Sequence, residues 1–509
     1  MSAEHERFFL ALAAHAAHHP GRIALEDGRG RLSFGELLAE VDRRRARLAA
    51  SGAQRVGLAL DNGLDWALWD LALLRDERVA VPVPGFFSAA QRQHLVASAG
   101  LDAWIGAADE AASLGFASSA DGAIATQAVS KPPKMHPGTA KITFTSGTSG
   151  APKGVCLDSA AMLRVAESIA AIVTPLGIRR HLAMLPLATL LENIGGLYVP
   201  LWLGAGCHLP DTATLGWQGA SGFCPRTAMA IIEAVKPQSL ILVPQLLQAL
   251  LAVAPKAPEC LSFVAVGGAR LAPALLSRAG EAGWPVFEGY GLSECASVVC
   301  LNRPGESARG VGRPLPHAEV RLSEAGEVEI RGATMLGYLG EPPAGAWHAS
   351  GDLGRLEPGP EGERLHLDGR RHEVFITAYG RNVAPQWVEA ELVLQPVIAQ
   401  ALVHGEALDH NRALIVPRYP GADDATLNAA ISAANARLPD YARVHAWRRA
   451  APFTPANDQL TANGRLRRGA VLASYRDWLT AEADSTAMPT SSSTASPSPS
   501  SPSTTGAAS

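Results

Sequence analysis

Residues 142–155 read Ile142-Thr143-Phe144-Thr145-Ser146-Gly147-Thr148-Ser149-Gly150-Ala151-Pro152-Lys153-Gly154-Val155. The pattern is a short apolar strand, a loop of small residues and a second apolar start. Glycines free the backbone, while Thr145, Ser146, Thr148 and Ser149 add hydroxyls beside exposed N–H groups. One lysine supplies charge. Such a concave run of donors suits a polyphosphate. It is not the usual nucleoside-triphosphate loop, which requires Ser or Thr directly after the lysine, because Gly154 follows Lys153. A surface turn rich in Gly, Ser and Thr has the same composition.

Outward from this loop, hydrophobic segments alternate between strand and helix. Short strands are expected at 22–25 and 32–34, a helix over 34–50 capped by Ser33 with Glu36 in the capping-box position, and a buried strand at 56–60. A helix over 64–74, a strand from 79, a helix over 89–99 capped by Ser88 and a strand at 103–105 follow. Residues 106–138 read as an irregular crossing into the loop. Beyond it come a helix over 158–172, a strand at 181–185, a partly helical apolar stretch over 190–203, strands at 206–209, 239–243 and 262–266, and helices near 225–235, 244–252 and 272–282 before a strand at 285–288. This alternation predicts an α/β fold, a largely parallel sheet covered by helices. From about 308, dense Gly and Pro with short strands at 317–322, 326–331 and 363–367 indicate a small barrel-like subdomain. Another α+β unit begins near 372. The expected domains are 1–371, 372–484 and a disordered Ser/Thr/Pro tail over 485–509, the second being small and mobile.

Composition narrows the classes. A chain of 509 residues exceeds what one core usually serves, and 47% apolar residues fill several. With 44 Lys+Arg against 48 Asp+Glu, the net charge of -4 asks for no nucleic acid. Six scattered cysteines without a CxxC pair indicate buried free thiols rather than disulfides or zinc. The apolar run 8–14 is too short to span a bilayer, so no transmembrane segment and a cytoplasmic location are expected.

The loop is followed in order by Phe287-Glu288-Gly289-Tyr290-Gly291-Leu292-Ser293-Glu294, Ser350-Gly351-Asp352, Gly369-Arg370 and Leu460-Thr461-Ala462-Asn463-Gly464-Arg465-Leu466-Arg467-Arg468. Together these segments resemble the adenylate-forming (AMP-binding) enzymes: acyl-CoA synthetases, luciferase-like ligases and the adenylation domains of peptide synthetases. The resemblance spans about residues 8–475. Within it, Leu185-Pro186-Leu187-Ala188-Thr189-Leu190-Leu191-Glu192 looks most like the long-chain acyl-activating branch.

The resemblance implies roles. Thr145, Ser146, Gly147, Thr148 and Lys153 would surround the β,γ-phosphates of ATP. Gly267-Gly268-Ala269 would pass alongside the adenine and acyl sites, with Glu288, Gly289 and Gly291 around Tyr290, which would lie on adenine. Ser293 would reach the α-phosphate, Glu294 would hold Mg²⁺, and Asp352 and Arg370 would bind the ribose. Leu187, Thr189, Leu190, Gly195 and Gly267 would line the acyl pocket; the apolar run around them also reads as core helix. Gly195 and Gly196 widen a pocket or permit close packing. Tyr379 and Gly380 would line the thiol's approach, Tyr379 standing where the family often has glycine.

Two further departures bear on catalysis. His372 falls at the family's hinge between the large and small domains, where Asp or Lys is usual. Arg465 occupies the position of the family's catalytic lysine, and the exchange is not conservative. Three readings follow for Arg465: a working substitute, replacement by a neighbouring basic residue, or impaired adenylation. The implied activity is ATP-dependent conversion of a hydrophobic carboxylic acid, a medium- or long-chain fatty acid, to acyl-AMP, then transfer to the thiol of CoA. Loading the phosphopantetheine of an acyl carrier protein is one alternative, and a degenerate nucleotide-binding homologue is another.

Overall fold

The computed structural model describes residues 2–118, 122–145, 152–218, 222–306, 310–378, 381–461 and 464–480. Ser146, Gly147, Thr148, Tyr379, Gly380 and the tail over 485–509 lie outside the described residues.

Two large sheets carry the N-terminal part. In one, the parallel strands Ile23–Glu26, Gly206–His208, Arg180–Leu182, Ser239–Leu242, Phe263–Val266 and Val286–Leu292 lie side by side, with antiparallel strands at both edges. In the other, Ala103–Gly106, Arg55–Ala59, Val79–Pro82 and Lys141–Thr145 are parallel, and Lys153–Leu157 returns antiparallel to Lys141–Thr145. Buried runs such as Val56–Leu58 and Leu240–Leu242 suit strands covered on both faces.

The helices Leu64–Arg75 and Ser159–Val173 are buried along most of their length and join both sheets in one hydrophobic core. Ser159–Leu176 is also long and apolar enough to cross a bilayer by length and composition, but here that surface packs in the core. Within the core, Lys141 Nζ donates to Asp70 Oδ1 at 2.7 Å. Tyr198 Oη and Asn193 Nδ2 donate to Asp70 Oδ2 at 2.6 and 2.9 Å. This ion pair ties a strand of one sheet to the helix Leu64–Arg75 and to the segment 193–198.

That segment is a π-helix, Asn193–Tyr198, between short α-helical turns at Leu190–Glu192 and Val199–Leu203. The expected partly helical stretch is thus helical throughout but widened at Gly195-Gly196. Helices at Phe34–Ser51 and Ala89–Ala99 start on capping boxes at Ser33–Glu36 and Ser88–Gln91.

Three local expectations change. Residues 106–138 contain the helix Ala108–Ser113 and a small hairpin, Ala117–Ser118 with Ala125–Thr126. The strand expected to end at 288 runs to Leu292, because Ser297–Leu301 pairs back along it. The ten-residue strand His348–Glu357 has no period-two apolar signature. It forms because strands on both sides, Glu327–Gly332 and Arg364–Arg370, supply its hydrogen bonds. With Ala318–Leu322 they make the four-stranded antiparallel subdomain. The C-terminal α+β part is a three-stranded sheet, Ile398–His404, Asn411–Pro417 and Val444–Arg449, packed on Pro385–Val393 and Asp424–Asn435.

Candidate active site

The site lies at the carboxyl ends of the parallel strands, where the chain leaves Phe263–Val266 through Gly267-Gly268-Ala269. Ligands in open α/β sheets bind at that end. Gly268 sits at φ +80°, a conformation that favours glycine. On the next strand, a Cβ at Gly291 would lie 1.6 Å from the Ser297 carbonyl oxygen, so glycine is demanded by the close approach of two backbones. Glu288 lies beside Arg270, and burial pushes its carboxyl up to about 8 despite that cation and the Leu271 N–H.

Tyr290 donates from its hydroxyl to Asp352 Oδ2 at 2.7 Å, and Arg370 Nε lies 2.8 Å from Asp352 Oδ1. Asp352 and Arg370 are direct partners across two antiparallel strands, which fixes this pair by register. Burial raises the Asp352 carboxyl above its usual range, against the pull of Arg370 and the Tyr290 hydroxyl.

A second set of contacts runs from Lys153 to Glu294. Lys153 begins the strand that pairs with Gly337–Tyr338, so Tyr338 is brought beside it. Lys153 Nζ lies 2.9 Å from Glu341 Oε1 and 4.9 Å from the centre of the Tyr338 ring. The Tyr338 hydroxyl donates to Glu294 Oε1 at 2.8 Å, and the Met335 N–H donates to the Glu294 carbonyl at 2.7 Å. Burial and the adjacent Glu294 carboxylate keep the Tyr338 phenol protonated. Tyr338 and Glu341 carry no motif, and only pairing of distant strands reveals them. Thr145 sits opposite Lys153 in the hairpin. Ser293 and Glu294 open a 3₁₀ turn, Ser293–Cys295.

Arg465 reaches this cleft from the C-terminal part. Its Nη2 donates to the Gly268 carbonyl at 3.3 Å. Surrounding protein and the nearby Arg370 depress its pKa, while Glu294 and Asp352 oppose the shift, and as an arginine it stays charged. The neighbouring cations are committed elsewhere. Arg467 pairs with Asp458, and Arg468 Nη2 donates to both Glu389 oxygens at 2.7 Å and Nη1 to the Val403 carbonyl at 3.0 Å. Of the three basic residues in 465–468, Arg465 is therefore the one placed at the cleft. His372 lies in a turn in which the Arg370 carbonyl accepts from Glu373 and Val374. Across the two parts, Gln248 Nε2 donates to the Val393 carbonyl at 3.0 Å, and Leu394 packs into the second hydrophobic core of the large part.

A cavity of about 40 Å³ lies against the sheet, lined by Gly195, Val199, Ile241, Phe263 and Ala265, with His181 and Ser239 among them. Of the expected pocket residues, Gly195 lines it; a Cβ there would lie 2.6 Å from Ile241. Leu187 and Leu190 pack in the main core, and Thr189 Oγ1 donates to the Pro186 carbonyl. Gly196 has the other use, close packing, since a Cβ would fall 1.9 Å from Glu192 Oε1. Asn62 braces this region by donating to the Leu185 carbonyl and accepting from the Leu187 N–H.

The donor set fits Mg-ATP. No group of three or more His, Cys, Asp or Glu side chains among the described residues is arranged for a metal. Glu294 offers the single carboxylate with which Mg²⁺ binds when phosphates supply its other ligands.

The AMP-binding enzyme profile matches residues 12–339, and that of the AMP-binding enzyme C-terminal domain matches residues 372–483. The chain belongs to the AMP-binding enzyme family. Among curated relatives of this AMP-binding enzyme, the long-chain-fatty-acid–CoA ligase of Mycobacterium bovis is 36% identical over 157 residues, 29% of this chain and 26% of that one. The match therefore spans about a quarter of that relative's length. The probable CoA ligase of Humulus lupulus is 26% identical over 435 residues, covering 75% and 81% of the two chains. Among solved structures, the o-succinylbenzoate CoA synthetase of Bacillus subtilis with its acyl-adenylate has a TM-score of 0.72 at 23% identity, covering 91% of this chain and 97% of that one. An anthranilate CoA ligase with anthranoyl-AMP has a TM-score of 0.73 at 19% identity, covering 91% and 96%. At these identities the likeness to the solved structures is one of fold.

Proposed function

We propose that this AMP-binding enzyme joins a hydrophobic carboxylic acid to a thiol at the expense of ATP. The carboxylate oxygen attacks the α-phosphorus, the bond to pyrophosphate breaks, and acyl-AMP forms. A thiol sulfur then attacks the acyl carbon, loses its proton and releases AMP. The observation that carries this reading is the convergence of Arg465, Glu294, Asp352 and Arg370 on one cleft from separate parts of the chain. No protein nucleophile is required. The residues orient the reactants and balance charge building on phosphate oxygens.

In this reading Lys153 holds the leaving pyrophosphate, Asp352 and Arg370 hold the ribose, and Arg465 meets the substrate carboxylate and α-phosphate. Glu294, fixed by Tyr338, holds Mg²⁺, which neutralises phosphate charge. CoA is the proposed acceptor, as in the names of the long-chain-fatty-acid–CoA, 2-succinylbenzoate–CoA and anthranilate CoA ligases.

The acid is proposed to be a medium- or long-chain fatty acid, on the likeness of 185–192 to the long-chain branch and the 36% identical segment. The compact apolar cavity and the two aryl-acid structures favour a second reading, an aromatic acid. Pyrophosphate exchange into ATP across a panel of alkyl and aryl acids tests both. Exchange with one class selects that reading. No exchange with any acid, with ATP binding intact, returns the degenerate homologue.

A further inference from the structure

Three buried polar groups, two of them lining the cavity and the third behind them, have no part in the chemistry above. His181 and Ser239 are partners on adjacent parallel strands, and both border the cavity. His181 Nδ1 lies 2.9 Å from Ser239 Oγ, and His181 Nε2 lies 2.9 Å from Glu192 Oε1. Glu192 Oε2 accepts from the Leu185 N–H at 3.0 Å. His181 is 1% exposed, Glu192 0% and Ser239 6%. Gly196 leaves the space the pair occupies, since a Cβ there would overlap Glu192 and lie 2.8 Å from His181 Nε2. Gly195 and Gly196 both lie in the π-turn Asn193–Tyr198, a distortion often found at functional sites. Two backbone features, a missing side chain and a widened helix, thus serve one polar relay beside an otherwise apolar cavity.

Sheet geometry orders the cavity by depth. Ser239 and Ile241 share one face of their strand, and Phe263, Ala265 and Gly267 share the corresponding face of the next. Gly267 is at the ATP end, four residues beyond Phe263, the cross-strand partner of Ser239. At about 3.3 Å per residue, Ser239 lies roughly 13 Å along the sheet from Gly267.

Charge balance sets the direction of the hydrogen bonds. A carboxylate buried with a neutral imidazole leaves an uncompensated charge, which is strongly disfavoured. The two net-neutral arrangements are a protonated Glu192 beside a neutral imidazole and a carboxylate beside an imidazolium. Both place a proton on His181 Nδ1, directed at Ser239 Oγ. The serine oxygen then accepts from His181, and its own hydrogen is free to donate into the cavity.

We propose that the Ser239 hydroxyl is a specificity-determining hydrogen-bond donor deep in the acyl cavity, positioned by His181 and Glu192. It selects acids bearing an oxo or other acceptor oxygen far from the carboxylate. This rests on the ligase reading, in which the cavity receives the acyl group. A buried donor left without a ligand partner penalises a plain methylene at that depth, so the discrimination is against the unsubstituted acid.

The test is pyrophosphate exchange with straight-chain and aryl acids, each paired with analogues in which an oxo group is walked along the chain. At one position the wild-type protein should prefer the oxo acid about fivefold to tenfold in kcat/KM. Ser239→Ala should bring that ratio to about one, and Ser239→Thr should keep it. A wild-type scan with no preferred position overturns the inference without any variant, as does a preference unchanged in Ser239→Ala. Exchange with no acid at all, while ATP still binds, takes down the ligase reading and this inference with it.

Discussion

Arg465 Nη2 lies 3.3 Å from the carbonyl oxygen of Gly268, so a residue of the C-terminal part touches the turn that ends a central strand of the large part. Arg467 and Arg468 are held by Asp458 and by Glu389. Of the basic residues in 465–468, Arg465 is therefore the one at the cleft, and we propose that it substitutes for the family's lysine.

From this placement, Arg465→Ala should lower pyrophosphate exchange about 100-fold or more, the usual cost of losing one oriented stabiliser of developing charge, while ATP binding changes little. Arg465→Lys should retain charge but lose the fork, giving an intermediate rate. An Arg465→Ala rate within a few-fold of wild type would remove Arg465 from the mechanism.

Tyr338 fixes the carboxylate of Glu294 through one hydrogen bond of 2.8 Å. Tyr338→Phe removes that bond and keeps the ring beside Lys153. The expected result is a several-fold rise in the Mg²⁺ concentration needed for half-maximal exchange, with an unchanged melting temperature. Titration of exchange against Mg²⁺ at saturating ATP measures it. An unchanged midpoint would show that Glu294 needs no such brace.

The Lys141–Asp70 pair is buried, with side chains 2% and 0% exposed. Lys141→Met leaves Asp70 charged without its cation and should cost about 3–5 kcal/mol, read by urea denaturation. Adding Asp70→Asn should restore part of the loss. Additive losses in the double variant would contradict a specific pair.

Gly196→Ala places a methyl group into Glu192 Oε1. Overpacking of a closed site predicts a loss of about 1–3 kcal/mol, measured as a lower melting temperature. A neutral effect would mean that the Glu192–His181 contact yields easily.

Glu288 supplies a pH dependence. Its pKa rises from 4.5 to about 8 on folding because burial outweighs Arg270. The folded state binds this proton more tightly than the unfolded chain. Its stabilising contribution is therefore full below about pH 4.5 and is lost as pH rises through about 8. Glu288→Gln should flatten the decline in melting temperature across that window relative to wild type. Parallel curves for the two proteins would count against a raised Glu288.

The amino-acid sequence by itself determined the α/β class, most of the strands and helices, and the order of the nucleotide-side motifs. Those signals are local: apolar runs of strand length, caps such as Ser33 with Glu36, and glycines at Gly267-Gly268 and Gly291 set by backbone demands. Only the tertiary structure decided which distant groups meet. Tyr338 reaches Glu294 because two remote strands pair, and Asp352 meets Arg370 by sheet register. His181 and Ser239 meet at one cavity with Glu192 behind His181 because parallel strands and a widened helix turn bring them together. The strand His348–Glu357 was illegible for the same reason, since its hydrogen-bond partners lie on either side of it. The contiguous run 465–468 shows the division most plainly. The motif resemblance singles out Arg465 but leaves a neighbouring basic residue as an alternative, and folding sends Arg465 into the cleft while Arg467 and Arg468 pair elsewhere.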